Sequence, residues 1–189
     1  QLRFEGKVIT GNFIYTYGNP IPYDVSFDSD YGGYFIMDST YFQGNVQHFK
    51  GILSFDATNY VEMASFESYG DSTRHLYLQT SLINMNGVEN NSFVVDGNNY
   101  TVSADSSSLI FSGTDLFDAA KLEAEGVEFG TVCFTQNANI KGPLTIDQLN
   151  LTPGFRYMFQ DTIVVDDINV TECYWGLGSA LSGGADCAG

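Results

Sequence analysis

Short runs of β-prone residues recur along the whole chain, and this rhythm restricts the fold more than any other feature. Runs rich in Val, Ile, Phe, Tyr and Thr follow one another about every 10 to 14 residues and are separated by clusters of Gly, Asn, Asp and Pro. Examples are Asp24–Phe27, Tyr34–Asp38 and His75–Leu82. None of these runs reaches helical length. The pattern predicts an all-β protein with about a dozen strands.

Two segments predict particular local structures. Ser92–Ser103 contains Asp96-Gly97 between two β-prone arms, which is typical of a tight β-hairpin because glycine tolerates positive φ. Thr114–Gly126 begins with a capping residue, contains helix formers and closes on glycine, so it predicts one short helix over about 114–125.

These elements together predict a single antiparallel domain. A chain of 189 residues needs no second hydrophobic core, and no linker divides it. We expect a two-sheet sandwich or jelly roll over residues 1–175, followed by a tail over 176–189 that is rich in Gly and Ser.

The charge balance excludes several classes of partner. Seven Lys and Arg face 23 Asp and Glu, giving a formal net charge of −16. Such a surface repels nucleic-acid phosphates and anionic lipids. No apolar run approaches the roughly 18 residues of a membrane helix. The sequence therefore predicts neither nucleic-acid binding nor membrane insertion.

Export is predicted from the start of the chain and from its acceptor sites for N-linked sugar. The chain begins at Gln1, as secreted proteins often do after a signal peptide is removed. The acceptor pattern Asn-x-Ser/Thr occurs at four positions, which are Asn90, Asn99, Asn150 and Asn169. We expect a secreted or cell-surface glycoprotein.

The three cysteines allow one intrachain bridge at most. Cys173 and Cys187 flank the flexible tail and are the preferred pair, with Cys133 as a small buried hydrophobic residue inside its apolar run. In the alternative, Cys133 bonds to Cys173 and Cys187 is free for another chain.

Catalytic patterns are scarce. His48 and His75 are the only histidines, and both are expected to be exposed or capping residues. No serine lies in a Gly-x-Ser-x-Gly elbow. Glu62 and Glu67 are the acids to consider for a glycoside hydrolase, but five residues separate them, which places them on opposite faces of a regular strand. We predict that the protein is not an enzyme.

Two weaker patterns suggest ligands. Asp28 and Asp30 lie in a glycine-containing loop and offer the oxygen atoms that calcium prefers, although an EF-hand pattern is incomplete. Apart from calcium, no cofactor is predicted. Tyrosines crowd the stretch around Tyr31 and Tyr34, and such rings can stack on sugars. The alternative is that these tyrosines simply occupy half-buried strands.

A third pattern suggests assembly. The longest candidate strand runs from Leu2 to Tyr17, and the low charge along Phe13 to Tyr17 suits pairing with a neighbouring copy. The leading hypothesis is a structural or adhesive extracellular subunit that associates with itself or with other extracellular proteins. A carbohydrate-binding module ranks second, and a glycoside hydrolase ranks third.

Overall fold

The computed structural model shows an all-β protein in which successive strands stack in parallel. It describes residues 1–6, 11–55, 59–88, 91–113 and 119–170. Every strand pair in this part of the chain is parallel, and each strand pairs with strands one circuit earlier or later. The chain therefore winds as a β-solenoid. We call one circuit a coil.

The described residues form 17 strands, and none of them is helical. The strands are β1 (Leu2–Gly6), β2 (Asn12–Ile14), β3 (Val25–Ile36), β4 (Thr40–Tyr41), β5 (Asn45–Phe55), β6 (Tyr60–Met63), β7 (Ser65–Ser68), β8 (Arg74–Tyr77), β9 (Leu82–Met85), β10 (Ser92–Val95), β11 (Tyr100–Phe111), β12 (Ala120–Glu123), β13 (Val127–Phe134), β14 (Ala138–Lys141), β15 (Leu144–Leu151), β16 (Tyr157–Gln160) and β17 (Ile163–Val170).

The strands form three stacks that run along the solenoid. The first stack contains one strand from each of eight coils, in the order β1, β3, β5, β7, β10, β12, β14 and β16. Long strands such as β3 and β11 bend at a corner and continue into a neighbouring stack. The second stack begins with β2 and ends with the first half of β17, and the third begins with β4 and ends with the second half of β17.

Apolar residues repeat at equivalent positions in successive coils and fill the interior. The first stack places Val25, Val46, Phe66, Phe93, Leu122 and Ile140 above one another, and all six are buried. Aromatic rings stack between coils, with centroid distances of 4.9 Å for Phe66–Phe93 and 4.6 Å for Phe111–Phe134. Fully burying one such side chain contributes about 1.5–3 kcal/mol. One continuous hydrophobic cluster extends through the coils.

The predicted antiparallel sandwich or jelly roll is wrong. Alternation and turn residues identify strands, but they do not say whether the partner strand is the next one along the chain or lies one coil away. Here the partners are about one coil away, at separations from 17 residues between Val127 and Leu144 to 29 residues between Ser92 and Lys121.

The predicted hairpin over Ser92–Ser103 is also wrong, although its turn exists. Gly97 has a φ of 93°, but β10 and β11 turn a corner there and enter different stacks. A Cβ on Gly97 would lie 2.5 Å from the carbonyl oxygen of Gly70, in the equivalent turn of the preceding coil. The glycine therefore permits close stacking of corners.

The predicted helix over 114–125 is wrong for the residues that the structure describes, which contain a short strand and no helix. Residues 114–118 lie outside the described residues, and Ala120–Glu123 forms β12. Ala120 and Leu122 point inward, where they stack on Ala138 and Ile140. Packing between coils overrides the helix propensity of this segment.

The predicted domain boundary at residue 175 and the tail over 176–189 lie outside the described residues. The predicted strand from Leu2 to Tyr17 is divided into β1 and β2, which belong to different stacks.

Candidate functional site

The largest ionic cluster of the described residues lies on the outer face of the first coils. Arg3 Nη2 is 2.6 Å from Asp28 Oδ2, and Lys50 Nζ is 2.5 Å from Asp30 Oδ1 and 3.4 Å from Asp28 Oδ1. Strand pairing places Asp28 opposite Lys50 on one side and opposite Glu5 on the other, while Arg3 reaches Asp28 from a position two residues before Glu5. A cleft of about 410 Å³ lies beside these residues, and a second of about 500 Å³ extends from Lys50 towards His75.

The basic groups of this cluster favour the ionised form of Asp28. Burial alone would raise the pKa of Asp28, but hydrogen bonds and charges from Arg3 and Lys50 outweigh it and hold that pKa below its usual value. The same contacts raise the pKa of Lys50, chiefly through the hydrogen bond to Asp30. The cluster is a set of paired charges.

The pairing bears on the predicted calcium site at Asp28 and Asp30. Both carboxylates already face Lys50, and Asp28 also faces Arg3. A cation would have to displace these ammonium and guanidinium groups. Among the described residues, no three His, Cys, Asp or Glu side chains group as metal ligands do. Calcium binding at Asp28 and Asp30 stays a prediction.

Of the two tyrosines predicted to bind sugar, the structure describes the side chain of Tyr34 alone. The ring of Tyr34 is 4% exposed and packs against Phe4 and Phe27 in the interior, so it cannot stack on a ligand. The side chain of Tyr31 lies outside the described parts. Exposed rings occur instead on the first coil, where Tyr15 and Tyr17 are 52% and 83% exposed and stack at 5.9 Å.

His48 was expected at the surface, but it is fully buried. Its imidazole Nε2 lies 3.1 Å from the carbonyl oxygen of Gly51, and its Nδ1 has no hydrogen-bond partner among the described residues. Burial lowers the pKa of His48 to about 4. His75 is half-buried at an outward position of β8. The two histidines therefore have different surroundings.

Arg74 is a structural residue that the sequence analysis did not single out. It is 1% exposed, and its guanidinium donates to Ser68 Oγ and to four carbonyl oxygens, which belong to Gly70, Ser72, Asp96 and Asn98. The cation also lies 5.6 Å from the ring centroid of Tyr100. Arg74 joins the corners of two coils. Its contacts are with residues up to 24 positions away, so no local pattern indicates them.

Glu62 and Glu67 lie in different stacks. Glu62 belongs to β6 in the third stack, where its carboxylate accepts hydrogen bonds from the hydroxyl of Tyr60 and the amide of Asn86. Glu67 belongs to β7 in the first stack. Burial, together with the Glu62 contact, raises the pKa of Tyr60 to about 12. The two acids do not face a common cleft.

The predicted glycosylation sites differ in setting. Asn99 is exposed at a corner with a φ of 59°. Asn150 and Asn169 are half-buried neighbours on β15 and β17. Asn90 lies outside the described residues. Glycosylation itself remains a prediction.

Cys133 forms a disulfide bond, and its partner is either Cys173 or Cys187. Cys133 is disulfide-bonded, whereas Cys173 and Cys187 lie outside the described residues. Three cysteines form one intrachain bridge at most, so a bonded Cys133 does not agree with the preferred pair Cys173–Cys187 or with a free thiol at Cys133.

The last coil leaves its interior positions open. Phe159, Ile168 and Val170 are 46%, 56% and 45% exposed. The equivalent residues one coil earlier, Ile140, Leu149 and Leu151, are 0%, 0% and 8% exposed. Within the described chain, β16 and β17 pair with β14 and β15 on one side only. This end combines exposed apolar side chains with unpaired strand edges.

Comparison of the chain with protein-family models, with curated proteins and with solved structures gives no match.

The first coil offers a matching edge. β1 and β2 pair with β3 alone among the described strands, and Leu2 and Phe13 are 39% and 63% exposed.

The described residues contain no helix long and apolar enough to cross a membrane.

Proposed function

We propose that this protein is a structural subunit that associates with copies of itself, end to end, by addition of strands to the open coil. The observation that carries the proposal is the exposure of Phe159, Ile168 and Val170 at positions that are buried in the preceding coil. Unpaired strand edges with exposed apolar side chains are templates for pairing with another chain.

The first coil of a second copy is the occupant that fits this end. Following the register from coil to coil makes Leu2 equivalent to Phe159 in the first stack. In the second stack, Ile14 is equivalent to Val165. In the third, Ile21 occupies the same position as Val170. A copy shifted by one coil would place apolar residues on apolar residues in all three stacks.

The outer surface agrees with this register. Phe13 and Val164, at equivalent outward positions of the second stack, are 63% and 49% exposed. They would become neighbours about 4.8 Å apart along the axis. Because the two contacting surfaces differ, the association is heterologous and does not close on itself, so it yields filaments.

An extracellular location is part of the proposal. It rests on the sequons and on the disulfide-bonded Cys133, since such bonds persist mainly in oxidising compartments. The proposal requires no catalytic group and no cofactor.

The test is electron microscopy and sedimentation of the purified chain over a range of concentrations. We expect filaments and a sedimentation coefficient that rises with concentration. Phe159→Lys should abolish filaments, because it places a charge in the contact. Met158→Lys is the matched control, since Met158 is 50% exposed on the same strand but points outward. Wild-type protein that stays monomeric at high concentration would overturn the proposal.

Mixing variants tests the direction of assembly. Leu2→Lys blocks one end and Phe159→Lys blocks the other, so each variant alone should be monomeric. Mixed in equal amounts, they retain one compatible pair of ends and should form dimers only. Filaments in the mixture would contradict the end-to-end arrangement.

Carbohydrate binding is the second candidate, favoured by the stacked and exposed rings of Tyr15 and Tyr17. Affinity electrophoresis in gels that contain polysaccharides would test it. Tyr17→Ala should remove any retardation, whereas Tyr23→Ala, at a ring that is 59% exposed, should not. Equal mobility of wild type and Tyr17→Ala in every gel would exclude this function for the two rings.

A further inference from the structure

Ile110 and Cys133 are buried on the outer face of the third stack. β11 and β13 place them opposite each other, and their chain neighbours Leu109 and Val132 point into the interior. Ile110 is 2% exposed and Cys133 is 6% exposed, yet neither belongs to the interior cluster. Outward side chains are buried when another part of the protein covers them.

The disulfide bond of Cys133 limits which part of the chain can bond to this face. Cys133 is disulfide-bonded, and the only other cysteines are Cys173 and Cys187, both in residues 171–189. We propose that residues 171–189 dock on the outer face of the third stack at Ile110 and Cys133, held by a disulfide bond between Cys133 and Cys173.

The distances favour Cys173 over Cys187. Cys133, Asn150 and Asn169 form one outward column, with one coil between successive members. Two coils span roughly 10 Å along the axis. Cys173 follows Asn169 by four residues, and four extended residues reach about 13 Å. The chain therefore reaches Cys133 if it reverses directly after β17, whereas Cys187 would need a long loop.

The chemistry of the segment also fits. Tyr174, Trp175 and Leu177 follow Cys173 and supply apolar side chains that can cover Ile110. Asn150 lies between Cys133 and Asn169 in this column and has an interaction partner. The inference does not depend on self-association.

Mass spectrometry of peptides from the non-reduced protein is the direct test. We expect a peptide that contains Cys133 linked to one that contains Cys173, with Cys187 alkylated without reduction. A Cys173–Cys187 link, or alkylation of Cys133 in the folded protein, would overturn the proposal.

The single tryptophan provides a second test in solution. Trp175 lies two residues from Cys173, so its emission reports on docking. Cys133→Ser should shift this emission to longer wavelength and make proteolysis within residues 171–189 at least tenfold faster. The control Cys187→Ser should change neither. Mild reduction of the folded wild-type protein, checked by circular dichroism, should reproduce the effect of Cys133→Ser. Unchanged emission in both experiments would contradict the docking.

Discussion

His48 lies one coil after Phe27 at nearly the same interior position of the first stack, and it is equally buried. An imidazole thus occupies a place that an aromatic hydrocarbon ring fills in the neighbouring coil. Its Nε2 contacts the carbonyl of Gly51, but its Nδ1 has no hydrogen-bond partner in the part of the chain that the structure describes.

This burial predicts a pH dependence of stability. The pKa of His48 is about 4 in the native protein against an ordinary value of 6.5, because burial, with Arg74 and His75 nearby, disfavours the charged ring. Between these pH values the unfolded chain binds a proton that the native protein does not. The free energy of unfolding should therefore fall by about 3 kcal/mol as pH drops from 6.5 to 4.

Urea unfolding at pH 7 and pH 4.5 measures this effect. His48→Gln keeps a polar side chain but cannot titrate, so its stability should change less between the two pH values. His75→Gln, at the outward position, should retain the wild-type difference. Parallel pH profiles for wild type and His48→Gln would rule out His48 as the cause.

Arg74 predicts a large loss of stability on truncation. Arg74→Ala removes a buried side chain and its hydrogen bonds to four carbonyl groups in a part-buried corner, and it should destabilise the protein by about 1.5–3 kcal/mol. The stability of Arg74→Lys should lie between those of the wild type and Arg74→Ala, because an ammonium group cannot reach all of these acceptors at once. Thermal unfolding provides the measurement, and Arg156→Ala at an exposed site is the control. Equal effects of the two alanine variants would contradict this role.

Asp38 predicts a second acid-sensitive contact. Its carboxylate accepts hydrogen bonds from the backbone N–H groups of Thr16 and Tyr17 and from the hydroxyl of Thr16. Burial would raise its pKa, but these bonds outweigh burial and lower the pKa below 3.8. The stabilisation that ionised Asp38 gives the folded protein is complete above pH 3.8. It is lost as the pH falls through the pKa that Asp38 has in the native protein.

Asp38→Ala should cost about 1–3 kcal/mol at pH 7, because it leaves these donors unpaired. The difference from wild type should shrink below pH 4. Asp105→Ala, at an exposed carboxylate, is the control. A difference that stays constant down to pH 2 would show that the charge of Asp38 is not involved.

The sequons predict a pattern of glycan occupancy in a eukaryotic secretory host. Asn99 is exposed at a corner and should be occupied, and Thr101→Ala should remove its glycan. Asn150 and Asn169 are paired neighbours on adjacent strands about 4.8 Å apart, too close for two glycans. Glycopeptide mass spectrometry should find at most one of them occupied per molecule. Molecules that carry both glycans would contradict the register.

The sequence predicts the strands much better than their partners. Alternation and turn residues indicate many strands, and Gly97 does mark a turn. Parallel stacking, however, depends on which residues recur one coil later, and the coil length varies because corners differ in size. No fixed repeat is therefore visible. By their residue types, Ala120 and Leu122 suit a helix. Their pairing with Ala138 and Ile140 in the next coil places them in a strand, and that pairing is not visible in the local sequence.

The candidate sites were less predictable because they depend on contacts across coils. Asp28 and Asp30 resemble cation ligands in isolation, but Lys50 meets both of them from the next coil. In the sequence, Tyr34 resembles a surface aromatic residue. In the structure its ring contacts Phe27 in the interior. The exposed apolar positions of β16 and β17 follow from their pairing with β14 and β15 on one side among the described strands, which no local pattern indicates.

The parallel stacks also determine how the molecule bears load. Every strand pair joins one coil to the next, so the backbone hydrogen bonds run along the solenoid axis. Tension along that axis acts on each coil interface in series, and the interface with the fewest hydrogen bonds and the least apolar contact yields first. In a chain of such units, the tensile strength is that of the weakest single interface, however many copies are joined.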